Sequence, residues 1–318
     1  MSDLVRIGVP KRGQGARRPE WLRVKVQGSD AFKEVDGLLD GLKLHTVCES
    51  ARCPNIWECW GTHRTATFMI LGDVCTRNCR YCAVTKGQPK PIDPEEPEHV
   101  AAAVRHLKLA HAVVTSVDRD DLVDFGSAHF AATITAIRAA NPNARIEVLV
   151  PDFQGDTGAL TTVLDAQPDV LNHNTETTPS LFPKLRAAGD FERSLELLGR
   201  AHAHRSERRL PLVTKSGIMV GLGETIDEVL QVMDRLREVH CDVITLGQYL
   251  NPTINHTPID RFYTLEEFAI LRREAIARGF LHVEAGPLVR SSYHAATHVP
   301  PAAAARPEVT TDITRAGC

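Results

Sequence analysis

The sequence predicts an α/β protein, a partial (β/α)6 TIM-like barrel, and three observations carry that expectation. From about residue 65 onward, short β-type runs alternate with helical stretches, the signature of parallel βαβ units. The runs number six, short of the eight strands of a complete barrel. Polar clusters follow the runs at their C-terminal ends, where the loops of βα-barrels assemble an active site. An open doubly wound sheet would show the same alternation, and the polar clusters favour the barrel.

The runs are residues 65–71, 112–117, 145–150, 169–172, 212–220 and 242–246. Amphipathic patterns at 97–109, 130–140, 191–203 and 226–239 lie between them. The last opens with Thr225 and has Glu228 three residues on, a capping-box start. The polar clusters are Thr115-Ser116 with Asp118 to Asp121, Asn172-His173-Asn174 with Glu176, and Gly221-Leu-Gly223-Glu224-Thr225. Converging on one end of a barrel, they would line a single pocket. Glu176, Lys215 and Gln248 enter as candidates only through that convergence, and His173 reads as a hydrogen-bonded residue at a strand end.

Composition narrows the class. The chain has 318 residues, with 37 Lys+Arg against 40 Asp+Glu and a net charge of −3. No basic field points to nucleic acid, and no apolar run approaches the ~20 residues of a membrane helix. The first residues lack the apolar core of a secretory signal, so a cytoplasmic protein is expected, with no nucleic-acid or membrane partner. A basic cluster including Lys11, Arg12, Arg17 and Arg18 reads as a solvated arm. Asp118 to Leu122 and Asp124-Phe-Gly126 superficially resemble kinase elements, but no Gly-rich phosphate loop precedes them. Gly221-Leu-Gly223 lacks the third glycine of a dinucleotide loop.

Six of the eight cysteines fall in two groups of three, Cys48-x4-Cys53-x5-Cys59 and Cys75-x3-Cys79-x2-Cys82. Disulfide frameworks belong to small secreted domains. Structural zinc usually takes paired Cys-x2-Cys units, although His45 or His63 could add a fourth ligand here. Three thiolates per group suit iron–sulfur clusters in which one iron has no cysteine, whereas electron-transfer clusters normally take four. Cys241 precedes an apolar run and reads as a core residue, and Cys318 ends an Ala/Pro/Thr-rich tail.

Cys75-Thr-Arg-Asn-Cys79-Arg-Tyr81-Cys82, with an aromatic before its last cysteine, resembles the CxxxCxΦC signature of the radical S-adenosylmethionine (SAM) superfamily. Beyond that motif the chain resembles the lipoyl synthase family. The likeness runs from Arg18-Pro-Glu-Trp21 through Cys48-Glu-Ser-Ala-Arg-Cys53-Pro-Asn-Ile-Trp-Glu-Cys59, Thr65-Ala-Thr-Phe-Met-Ile-Leu-Gly72, Thr214-Lys-Ser216 and Thr245-Leu-Gly-Gln-Tyr-Leu250. It ends at Gly286-Pro-Leu-Val-Arg-Ser-Ser-Tyr-His-Ala295.

The resemblance implies that Cys75, Cys79 and Cys82 hold a SAM-binding 4Fe–4S cluster. Cys48, Cys53 and Cys59 would hold an auxiliary 4Fe–4S cluster, with Ser292 as its fourth ligand and Ser291 the lesser choice. It implies cleavage of SAM to a 5′-deoxyadenosyl radical and insertion of two sulfurs, at C6 and C8 of an octanoyl chain on a carrier-protein lysine. It implies further that the sulfur comes from the auxiliary cluster. Thr115 and Ser116 would face the SAM amino group, and Tyr81, Asn174, Glu176, Lys215, Gly221 and Glu224 would line the SAM site. Arg290 would close over the auxiliary cluster as substrate enters.

The implied segments are an arm at 1–45, an auxiliary-cluster segment at 46–62, a radical SAM partial barrel at 63–285 and a closing segment with a tail at 286–318. Implied partners are an octanoylated lipoyl domain or H protein, a ferredoxin or flavodoxin as low-potential donor, and an iron–sulfur carrier that rebuilds the cluster. The alternatives are another radical SAM sulfur transferase, or a two-cluster electron carrier without catalysis. Phe125, Ser50 and Ser180 depart from the family pattern, where glycine, glutamate and arginine are usual.

Overall fold

In a computed structural model, which describes residues 19–23, 28–63 and 65–298, the chain forms ten strands. They are β1 (His45–Thr46), β2 (Thr67–Ile70), β3 (Val74–Cys75), β4 (Thr85–Lys86), β5 (His111–Ser116), β6 (Arg145–Leu149), β7 (Val170–Asn172), β8 (Val213–Val220), β9 (Val243–Gln248) and β10 (His282–Gly286). Eight of them form one sheet in the order β1-β2-β5-β6-β7-β8-β9-β10. All its pairings are parallel except the antiparallel β1–β2. Residues 1–18 of the arm expected at 1–45 and residues 299–318 of the segment expected at 286–318, with Lys11, Arg12, Arg17, Arg18 and Cys318, lie outside the described residues.

The strands from β2 onward are each followed by a helix before the next sheet strand: Glu96–Leu107, Ser127–Ala140, Thr157–Asp165, Phe191–Arg208, Ile226–Glu238 and Leu265–Ala277. These are the six βα units of the expected partial barrel. β10 is a seventh parallel strand beyond the six that the sequence suggested. Among the described residues β10 does not pair with β1 or β2, so hydrogen bonding does not close the sheet. Among the described residues no helix is long and apolar enough to cross a membrane.

Burial follows strand chemistry. Phe68, Ile70, Val114, Ile146 and Val148 are fully buried against the helices, as parallel strands covered by crossovers require. The Thr225 capping box forms in both directions, with Thr225 Oγ1 accepting from Glu228 N and Glu228 accepting from Thr225 N. Thr264 and Glu267 repeat the device at the next helix. Cys241 is buried in the core, as its apolar setting suggested.

The barrel interior near the strand starts is polar. Lys215 Nζ donates to Glu147 Oε1 at 2.7 Å, His111 Nε2 lies 3.1 Å from Glu147 Oε2, and Asn172 Nδ2 reaches Glu147 Oε1 at 3.3 Å. Burial pushes the Glu147 carboxyl up, but Lys215 and His111 outweigh it and hold it at about 2. Burial pulls Lys215 down.

Candidate active site

The loop after β2 carries the second cysteine group. Leu71 and Gly72 take positive φ (+69° and +90°) and turn the chain off the strand. β3 and β4 then clasp the loop as a short parallel ribbon. Backbone contacts strap it down: Thr76 N donates to Asp118 O, Arg80 N to Leu185 O and Thr257 N to Arg80 O. Cys75, Cys79 and Cys82 face one cavity of about 170 Å3. Its far wall comes from the ends of β5, β6 and β7: Thr115, Ser116 and Asp118, then Leu149 to Pro151, then Asn174 and Glu176.

Under this loop lies buried Arg77. It pairs with Asp120 at 2.7 Å, with Asp152 at 2.6 Å and with Asp118 at 3.3 Å. Asp118 in turn stands 3.6 Å from Cys75 Sγ. Arg186, also buried, donates to Asn174 O at 2.9 Å and lines the same cavity. Burial works against its charge, and Glu176 and Asp118 are among the groups that outweigh burial. Neither arginine was a sequence candidate. Arg186 sits in the loop after a short helix with no motif around it, and Arg77 was hidden inside the cysteine spacing.

Cys48 lies in the short helix Val47–Ser50 and Cys59 in Ile56–Gly61. With Cys53 they line a second cavity of about 340 Å3, together with Arg290, Ser292, Tyr293 and His294. Residues 287–294 arrive from the far end of the chain and are fixed there. Asn55 Nδ2 donates to Leu288 O at 2.7 Å, Thr67 Oγ1 donates to Ser292 Oγ at 2.9 Å, and Tyr293 OH reaches both Glu58 oxygens at 3.1 Å. Gly247 makes the approach possible, because a Cβ there would lie 2.0 Å from Val289 O.

A third cavity of about 320 Å3 joins the two cysteine groups. Cys48 and Cys53 open on it from one side, Tyr81, Cys82 and Glu176 from the other, with Arg290, Ser291 and Ser292 above. Met219, Tyr249, Leu250 and Val289 give it apolar wall.

The donor set fits two anionic clusters. All six cysteines are unbridged, and burial pushes every thiol up, Cys48 and Cys82 to about 11 and Cys59 and Cys75 to about 12. Packed thiols of this kind ionise when a metal takes the charge. Arg290 faces Cys53 and Arg186 faces Cys79, each lowering the cost of the thiolate. Ser116 Oγ and Asn174 Oδ1 are buried acceptors with no hydrogen-bond partner among the described residues, and both line the first cavity.

Other expected site residues have their polar atoms engaged within the fold. Thr115 reaches the first cavity, but its hydroxyl donates to Leu149 O at 3.0 Å. Lys215 lines none of the three cavities and is held by Glu147. Glu224 turns inward to its own loop, accepting from Gly221 N, Leu222 N and Tyr263 OH. Gly221, at φ +96°, is needed because a Cβ would lie 2.2 Å from Gln248 Nε2. His173 uses both ring nitrogens, on Val150 O and Ser194 Oγ, as a hydrogen-bonded residue should. Phe125 has φ +55°, a conformation that favours the glycine usual there. Ser180 is exposed and bonds Glu228.

The N-terminal domain of lipoyl synthase of the radical SAM family matches residues 6–53, and the radical SAM superfamily matches 69–236. The lipoyl synthase of Roseiflexus sp. is 59% identical over 89% of this chain and 93% of its own length. That of Chloroflexus aurantiacus is 56% identical over 94% and 98%. Among solved structures, SuiB of Streptococcus suis bound to S-adenosylmethionine shares the fold at TM-score 0.53 and 10% identity, over 74% of this chain and 54% of that one. Methylornithine synthase does so at 0.51 and 14%, over 81% and 83%.

Proposed function

The chain belongs to the lipoyl synthase family, and we propose that its two cysteine groups divide the work of sulfur insertion across the cavity they share. The enzyme is a radical SAM sulfurtransferase that places two sulfurs, at C6 and C8, on an octanoyl chain carried by a protein lysine, with electrons from a reductant. Cys75, Cys79 and Cys82 would hold the SAM-binding 4Fe–4S cluster, and Cys48, Cys53, Cys59 and Ser292 the auxiliary one. When bound, the first supplies the electron that cleaves SAM and the second supplies the sulfur.

The observation that carries this reading is the third cavity, onto which both groups open. Its apolar wall suits an aliphatic chain lying between them. Ser116 and Asn174 offer their unpartnered acceptors to the SAM ammonium, and Arg186 offers its guanidinium to the carboxylate. Glu176 and Tyr81 border both cavities, where the nucleoside would lie. Arg290 covers the junction beside Cys53 and excludes water from the reacting carbon. Lys215, Gly221 and Glu224 support the barrel and touch none of the reactants. The finer partners follow the same reading: a lipoyl domain or H protein as carrier, ferredoxin or flavodoxin as donor, and an iron–sulfur carrier for rebuilding.

Anaerobic reconstitution followed by single-turnover mass spectrometry with SAM, dithionite and an octanoyl-lysyl peptide tests this. Two clusters' worth of iron, 5′-deoxyadenosine and a peptide bearing two sulfurs are expected. Cys53→Ala should keep 5′-deoxyadenosine and lose the sulfur. If Cys53→Ala abolishes SAM cleavage while Cys79→Ala spares it, the assignment of the two groups is wrong.

A further inference from the structure

The base of the closing segment holds a polar cluster that the sulfur-insertion site does not use. His298 follows the short 3-10 turn Ala295–Thr297 and is 1% exposed. Both of its ring nitrogens are buried without a hydrogen-bond partner among the described residues, and so is His282 Nε2. His282 opens β10, and its Nε2 lies 3.5 Å from Glu284 Oε2 two residues along the strand. The His282 and His298 rings stand 4.9 Å apart, tilted by 35°. One ligand atom from each of His282, Glu284 and His298 lies within 4.8 Å of the others.

A buried imidazole with two bare nitrogens is costly, because both of its polar atoms have left water unreplaced. Two imidazole nitrogens and a carboxylate oxygen, with no thiolate, form a donor set that suits Zn2+ with water in the fourth position. The groups around His298 are Lys215, Glu147, His282 and His111. Counting Glu284, they bring two carboxylates against one ammonium, a balance that favours a bound cation. Burial and the Lys215 charge keep the His298 ring neutral, the form that ligates.

We propose that His282, Glu284 and His298 bind a divalent transition-metal ion, Zn2+ by preference, that ties the closing segment to β10. Between His282 and His298 the chain runs out along β10, carries Arg290 to Tyr293 over the Cys48, Cys53 and Cys59 cavity, and returns. The ion clamps the two ends of that excursion, so Ser292 is held against Thr67 from below as well as by its own hydrogen bond. The site stands on its own donors, independent of what the cysteines hold.

The test uses holoenzyme with both clusters loaded, so that the cysteines are occupied, equilibrated with Co2+ as the probe. About one equivalent should bind, with the d–d spectrum of nitrogen and oxygen ligands and no thiolate charge-transfer band, and Zn2+ should displace it. His298→Ala and the milder Glu284→Gln should each weaken cobalt binding at least tenfold with the iron content unchanged. Zinc should raise the melting temperature of the wild type and of neither variant. If the wild type binds no more cobalt than Glu284→Gln, water fills the site and the proposal falls. A thiolate band on the bound cobalt would overturn it as well. Should His298→Ala fail to fold, Glu284→Gln decides alone, since Glu284 is partly exposed.

Discussion

Replacing Lys215 by methionine should make the barrel easier to unfold while leaving the affinity for SAM unchanged. The side chain is fully buried and its ammonium meets an equally buried Glu147 at 2.7 Å. At an effective dielectric of about 20, two unit charges at that separation attract by ~6 kcal/mol. Methionine fills a similar volume but strands the carboxylate, and losing one partner of a buried pair costs about 3–5 kcal/mol. His111 and Asn172 still contact Glu147, which places the expected loss near 3. The melting temperature should fall by roughly 5–15 °C.

The pH dependence has a definite sign. Folding depresses the Glu147 pKa from 4.5 to about 2, so its contribution is complete above pH 4.5 and is lost as pH falls through 2. The gap between wild type and Lys215→Met should therefore narrow as the solution is acidified below pH 4.5. Denaturant melts at several pH values measure this, with SAM binding by isothermal calorimetry on the cluster-loaded protein beside them. A variant of unchanged stability that binds SAM tenfold more weakly would refute the placement of Lys215 in the barrel interior.

Ser116→Ala should do the reverse. Its hydroxyl has no partner within the protein, so stability should stay within about 0.5 kcal/mol while SAM Kd rises roughly tenfold, the loss of one hydrogen bond to a charged group; an unchanged Kd counts against Ser116 as a contact. Gly247→Ala places a methyl 2.0 Å from Val289 O and should push the closing segment outward. Sulfur insertion should then drop at least tenfold with 5′-deoxyadenosine still formed, and tight coupling of the two products would contradict it. Arg77→Leu leaves Asp118, Asp120 and buried Asp152 facing one another, at a cost of about 3–5 kcal/mol. A shifted urea midpoint and loss of iron from the Cys75 group are expected, and an unmoved midpoint would sink the bracing role.

The cysteine groups were legible because their spacing is local and their residue type is specific. Six strand runs and four of the helices between them were legible from period and from the Thr225 cap, while Thr157–Asp165 and Leu265–Ala277 were not. β10 was not, because the run His282-Val-Glu-Ala-Gly286 has little β character and becomes a strand by pairing with β9. Lys215 misled for a related reason. Its partner lies 68 residues away on a neighbouring part of the barrel, and nothing near it in sequence announces a carboxylate. Gly221-Leu-Gly223-Glu224 looked like pocket residues because they follow a strand, and Lys215 because of the resemblance, yet their polar atoms are consumed by the fold. Arg77 and Arg186 were invisible because their meaning depends on acids from other strands.

The Ser292–Thr67 hydrogen bond and the Tyr293–Glu58 contact join segments from either side of the barrel, at sequence separations of 225 and 235. A ribosome delivers Cys48, Cys53 and Cys59 before the parallel barrel strands and Ser292 after them. The barrel and the loop of Cys75, Cys79 and Cys82 can therefore be complete while the cavity of Cys48, Cys53 and Cys59 still lacks a wall. A nascent or C-terminally clipped chain would meet SAM at Cys75, Cys79 and Cys82 with no sealed place to keep the resulting radical. The order of synthesis thus makes translation past Ser292 a requirement for walling the cavity of Cys48, Cys53 and Cys59.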